Sequence, residues 1–224
     1  MGDYACFRIG DVFTPGDELS SWVATIASAL NDLITTDGAA FPVRPTGHET
    51  YATRVGLAHF HELGRFLDAA ASVPAVTTFI RTLDSDPQQE YVSILETYRK
   101  HKSCLEAMRS NGVFHYPPWN PARGAIKHGL TKAANSLGVV KIHETIGGRR
   151  FLFADEIILA TMAHACGGET EMYETVTAAS NAMGDFLHFA DVAVARYVLD
   201  EKSADIRPCE PIDSNDWSKG WRHA

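Results

Sequence analysis

Apolar residues recur at Leu19, Trp22, Val23, Ile26, Leu30, Leu33 and Ile34, the three-and-four spacing that lines one side of an α-helix. The pattern stops before Asp37-Gly38, which predicts the end of a first helix there. Pro42 and Pro45 break the next stretch, and from about Glu49 to Ala71 helical spacing resumes with Val55, Phe60, Leu63 and Leu67. This second helix carries His59, His61 and Glu62. A shorter helix is predicted after Pro74. Ser85-Asp86-Pro87 then opens another, with an acidic cap region and a proline in the first turn. It runs through Tyr91, Leu95, Tyr98, Leu105 and Met108.

Past Pro117-Pro118-Trp119, Asn120 reads as an N-cap and Pro121 as a first helical residue. That helix continues through Ile126 and Leu130 to about Leu137, with Gly138 as its stop. Val139-Val140-Lys141-Ile142 and Phe151-Leu152-Phe153, separated by Gly147-Gly148, suggest a small β-hairpin near 139–153. Gly147-Gly148-Arg149-Arg150 reads as the hairpin tip rather than a ligand site. Two more helices, Asp155 to His164 and Glu169 to Lys202, are divided by Gly167-Gly168. The second buries Met172, Val176, Met183, Phe186, Leu187, Val194 and Val198, and the tail over 203–224 is irregular. The sum is an all-α chain, an antiparallel bundle of about six to seven helices. With no low-complexity linker, residues 1–224 are expected to form one domain, the C-terminal helices over 155–202 being an addition.

Composition narrows the partners. At 224 residues and 45% hydrophobic, the chain is long enough for a sizeable core. Cys6, Cys104, Cys166 and Cys209 form no CxxC pair, so free thiols in a reducing, cytoplasmic setting are expected. The start lacks a basic region followed by an apolar run, and nothing approaches the roughly 18 apolar residues of a membrane helix. The net charge of −8 argues against a surface that binds nucleic acid all over. The charge is uneven, however. From Thr97 to Lys132 the basic residues Arg99, Lys100, Lys102, Arg109, Arg123, Lys127 and Lys132 face a single acid, Glu106.

Inside this island lies Met108-Arg109-Ser110-Asn111-Gly112-Val113-Phe114-His115-Tyr116-Pro117-Pro118, which joins a helix end to a helix-stopping proline pair. Arginine followed a few residues later by histidine is not rare here, since Arg54 to His59 or His61 and Arg123 to His128 also show it. Those fall within predicted helices. Arg109 to His115 spans a bend that Asn111-Gly112 can turn and that Phe114 and Tyr116 can anchor. A permanently charged group and one that titrates near neutrality, held together, suit phosphodiester cleavage without a metal. The plainer alternative pairs Arg109 with Glu106 or with the helix C-terminus and leaves His115 as a capping residue.

The run Arg109-Ser110-Asn111-Gly112-Val113-Phe114-His115-Tyr116 resembles the signature of the HEPN superfamily, all-α domains in which arginine, a polar residue and histidine join two helices. The resemblance covers about 49–137. Ser110 stands where asparagine or aspartate is commoner, and Asn111 is shifted by one. It implies a metal-independent endoribonuclease of toxin or defence systems, working at a homodimer cleft, with an antitoxin or other protein as a possible partner. Arg109 and His115 would be the catalytic pair, with Ser110 or Asn111 at the polar position. Arg99, Lys102, Arg123 and Lys127 would guide the RNA backbone, and Tyr116 or Trp119 could stack on a base. Core packing is the competing role for these aromatics.

Two other classes remain. HEPN-like domains without activity serve as dimerisation modules or bind nucleotide or RNA. A metal-dependent enzyme could draw on His59 with Glu62, on His101, and on His188 with Asp191, but the chain has neither Glu-x-x-His nor His-Glu-x-x-His. No GxxxxGK phosphate loop supports nucleotide hydrolysis. No cofactor and no metal are therefore expected.

Overall fold

The computed structural model describes residues 9–36, 48–110, 131–132 and 152–201. The described residues are mostly helical, with no strand among them. In chain order the elements are α1 (Ile9–Val12), α2 (Glu18–Thr36), α3 (His48–Ala70), α4 (Pro74–Ile80), α5 (Ser85–Met108), α6 (Leu152–Ala165) and α7 (Glu169–Arg196), which runs into a π-helical turn at Tyr197–Glu201.

Local chemistry accounts for the boundaries. The Asp17 carboxylate accepts from the Ser20 backbone N–H at 2.7 Å, capping α2. Pro74 occupies the first turn of α4, where its missing N–H costs nothing. Gly167, with φ of +94°, makes the left-handed turn between α6 and α7. The turn at Tyr197 departs from the uninterrupted helix to Lys202 that the periodicity predicts. The Tyr197 ring is buried, its hydroxyl donates to the Val12 carbonyl at 3.2 Å, and it accepts from Ser20 at 2.6 Å. A polar anchor against the start of the chain, invisible to hydrophobic spacing, fixes this end.

The buried faces of α2, α3, α5 and α7 follow most of the predicted stripe, although Ile34 of α2 is exposed and Val176, Met183, Leu187 and Val194 of α7 are only partly buried. Trp22, Val23, Ile26 and Leu33 of α2, Phe60, Leu63 and Leu67 of α3, and Tyr91, Leu95, Tyr98, Leu105 and Met108 of α5 join one continuous core. From α7 come Met172 and Phe186, together with Ala179, Ala182, Phe189, Ala190 and Ala193, which the apolar pattern did not single out. Alanines on the inner face of α7 allow close approach, and α5 and α7 share the most extensive packing. Helix α2 also lies on α7 and α3, α3 lies on α5, and α6 touches both α5 and α7.

At Gly64, α3 lies close against Tyr98 of α5. The ring of Tyr98 occupies the place a Cβ would take, closer than carbon–carbon contact permits. Gly64→Ala should therefore destabilise by about 1–3 kcal/mol through overpacking, although alanine is the better helix former by about 1 kcal/mol. Urea unfolding checks this, and an unchanged or higher midpoint would contradict it.

Two expectations change. Leu152 and Phe153, the end of the predicted hairpin, lie in α6, because the apolar run there continues into helix; Val139-Val140-Lys141-Ile142 and Gly147-Gly148 lie outside the described residues. The expectation of four free thiols is corrected for two, since Cys104 and Cys166 form a disulfide with their Cα atoms 4.7 Å apart. They are 62 residues apart in sequence, and the ends of α5 and α6 bring them together. Cys6 and Cys209 lie outside the described residues.

Candidate functional site

Arg109 closes α5. Its backbone N–H reaches the carbonyls of Glu106 and Leu105, and with Ser110 it starts a π-type turn. The side chain does not pair with Glu106. Its Nε lies 2.7 Å from Oε1 of Glu62, on α3, as an ion contact that is not aligned as a hydrogen bond. The other oxygen of the same carboxylate accepts from Nη1 of Arg65 at 3.1 Å. Arg109 is about one-third exposed, Glu62 and Arg65 somewhat more. One acid thus gathers two arginines, one from its own helix and one from the end of α5.

Beneath them sits His61, 3% exposed, its ring edge-on to that of Tyr98. Its Nδ1 is 3.6 Å from Glu62 and has no hydrogen-bond partner. Burial pushes the His61 pKa below its ordinary value; Glu62 opposes this, while Arg109 and Arg65 add to it. The folded state therefore resists a proton that the unfolded chain accepts near pH 6.5. Stability is complete above that pH and declines as the pH falls below it, by at most about 1.4 kcal/mol per pH unit. His101, partly buried against Thr175 at 2.9 Å, acts in the same direction, whereas the exposed His188, raised by Glu90, acts in the opposite one. Urea midpoints at pH 7.5 and 5.5 should fall further in the wild type than in His61→Gln. Equal falls would remove His61 from the account.

The other predicted site residues divide. Ser110 is exposed at the end of α5. Arg99, Lys102 and Arg109 fall on one stripe of α5, spanning about 15 Å at the helical rise. Arg99 is paired with Asp68 of α3 at 2.7 Å, and Lys102 lies over the Tyr98 ring, 5.7 Å from its centre. Lys132 pairs with Glu169. Acids from α3 and α7, distant in sequence, thus answer part of the basic island. Asn111, His115, Tyr116, Trp119, Arg123 and Lys127 lie outside the described residues.

The metal-site candidates are not brought together. His59 and Glu62 border a groove of about 290 Å³ between α2 and α3, which Asp32 and Phe66 also line. His101 meets Thr175, and His188 meets Glu90 at 2.8 Å, about 16 Å further along α5. Among the described residues no group of three or more His, Cys, Asp or Glu side chains is placed to hold a metal ion. No described helix is long and apolar enough to cross a membrane.

Sequence spacing missed the role of Glu62 and Arg65. Glu62 was visible only as a neighbour of His59, and the signal joining it to Arg109 is the packing of α3 on α5, which no local motif carries. No protein-family model, no curated protein and no solved structure matches the chain.

Proposed function

We propose that the chain is a HEPN-like, metal-independent endoribonuclease whose catalytic pair is Arg109 and His115. The observation that carries this reading is the placement of Arg109: a partly exposed guanidinium held by Glu62 where α5 gives way to the motif. An arginine fork fixed there can stabilise charge on a scissile phosphate. The His115 imidazole takes the proton from the ribose 2′-hydroxyl, or returns one to the leaving 5′-oxygen, as the 2′,3′-cyclic phosphate forms. In the proposed homodimer two such pairs share one cleft, with Ser110 or Asn111 as the polar member. Arg99, Lys102, Arg123 and Lys127 guide the strand, and Tyr116 or Trp119 stacks on a base.

The architecture belongs to the same proposal: α2, α3, α5 and α7 form an antiparallel bundle. In support, Asp68 and Glu62 of α3 meet Arg99 and Arg109 of α5 in opposite chain order. Glu90 and His101 of α5 likewise meet His188 and Thr175 of α7.

A non-catalytic RNA- or nucleotide-binding module is the second reading. The acids that pair with Arg99, Arg109 and Lys132 favour it, because they lower the positive charge left for a substrate. Incubation of the protein with mixed RNA in excess EDTA separates the two. Cleavage by the wild type and not by His115→Ala supports the nuclease; intact RNA with a dimer on light scattering supports the module. Activity lost in EDTA and regained with Zn²⁺ or Mn²⁺ would point to metal chemistry.

A further inference from the structure

We propose that Arg65 and Arg109, held by the two oxygens of the Glu62 carboxylate, form a two-arginine seat for a phosphodiester of single-stranded RNA. Arg65 is then an additional phosphate-binding residue and Glu62 a positioning residue. The proposal rests on the endoribonuclease reading and adds to it residues that lie outside the motif.

The geometry comes from two helices. Glu62 and Arg65 are three apart on α3, so their side chains share a face and pair at 3.1 Å. Helix α3 packs on α5, and that packing carries the end of α5 to Glu62, where Oε1 meets Arg109 Nε at 2.7 Å. Each carboxylate oxygen serves one arginine, so the two guanidinium groups flank a single anchor.

That arrangement leaves donors to spare. Glu62 meets Arg109 at its Nε, 2.7 Å away and not aligned as a hydrogen bond, and the Arg109 side chain is about one-third exposed. Arg65 is engaged through one Nη and is 58% exposed. A guanidinium carries five N–H donors in a rigid fork that matches phosphate oxygens two at a time. Charge favours an anion as well. Arg65 and Arg109 stand against Glu62, which leaves one positive charge, and the buried His61 is held towards its neutral form. A long side chain at a helix end loses rotamer freedom on binding unless it is already fixed. Glu62 supplies that fixation, and because it is itself 45% exposed, a phosphate can approach the pair from solvent.

Two roles require two readouts. Binding is measured with the full chain and a 2′-O-methyl oligoribonucleotide, which lacks the attacking hydroxyl. Arg65→Ala should weaken binding three- to tenfold and flatten the plot of log K against log salt by about 0.7, the loss of one single-strand phosphate contact. Arg65→Lys, which keeps the charge and loses the fork, should keep the slope and recover part of the affinity. Glu62→Gln should bind this RNA within about threefold of the wild type, the lost negative charge offsetting the lost fixation, yet cleave ordinary RNA at least tenfold more slowly in kcat with KM little changed. Thermal melts confirm that each variant is folded.

An unchanged salt slope in Arg65→Ala, or no binding of the oligonucleotide by the wild type, would overturn the seat. So would a Glu62→Gln variant with unaltered kcat. If cleavage depends on His115 while Arg65→Ala keeps its slope, the seat fails and the nuclease stands. If the slope falls and no RNA is cleaved, the phosphate seat stands and the nuclease fails.

Discussion

Replacing Cys104 with serine should lower the free energy of unfolding by about 4 kcal/mol, the entropy that a cross-link across 62 residues removes from the unfolded chain. For a chain of this size that is a drop of roughly 10 °C in melting temperature. The effect should be large because the closed loop holds the whole segment between α5 and α6 together with α6 itself, and ties the C-terminal part of α5 to the end of α6. Cys104 is buried there, so serine also leaves a hydroxyl in place of an apolar sulfur. The Cys104→Ser/Cys166→Ser double variant should melt close to the wild type in reductant. Peptide mapping without reductant identifies the linked pair. A wild-type melting temperature that reductant leaves unmoved would contradict the prediction.

The second large effect is kinetic. His115→Ala should reduce RNA cleavage by about 10²–10⁴-fold, the range supplied by a positioned general acid or base. Arg109→Ala should cost about 10²–10³-fold by removing a fixed donor to the phosphate charge. Arg109→Lys should recover little of this, because an ammonium retains the charge without the fork that Glu62 orients. The arginine variants need a stability control, since removing the guanidinium leaves Glu62 with Arg65 at 3.1 Å and the His61 ring at 3.6 Å. Single-turnover rates check the series. Rates within threefold of the wild type for both alanine variants would remove the catalytic pair.

The helices were legible where burial and period coincide. Leu63 and Leu67, Tyr91 and Tyr98, and Met172 and Phe186 are core residues that three-and-four spacing found, because a helix presents such positions on one face whatever it packs against. Features that depend on a partner were not legible. Ala179, Ala182, Ala190 and Ala193 are buried because a neighbouring helix covers them, and alanine alone has too little hydrophobic contrast to announce that. The ends of α5 and α6 meet only in three dimensions, so the Cys104–Cys166 bond left no local trace.

The candidate site followed the same division. Arg109 at a helix end was readable from the approach to Pro117-Pro118, and the structure places it at the C-terminus of α5. The plainer alternative offers Glu106, the nearest acid in sequence, or the helix C-terminus as its partner, whereas Glu62 reaches it from α3. The same cause explains Arg99 with Asp68 and Lys132 with Glu169: counting charge along a window misses the acids that folding brings alongside.

The most direct test concerns the ends of the RNA fragments. In excess EDTA the wild-type protein should release fragments that terminate in a 2′,3′-cyclic phosphate, identified by mass spectrometry, and His115→Ala should release none. Intact RNA with the wild type, or the same ends at the same rate from both proteins, would contradict the account.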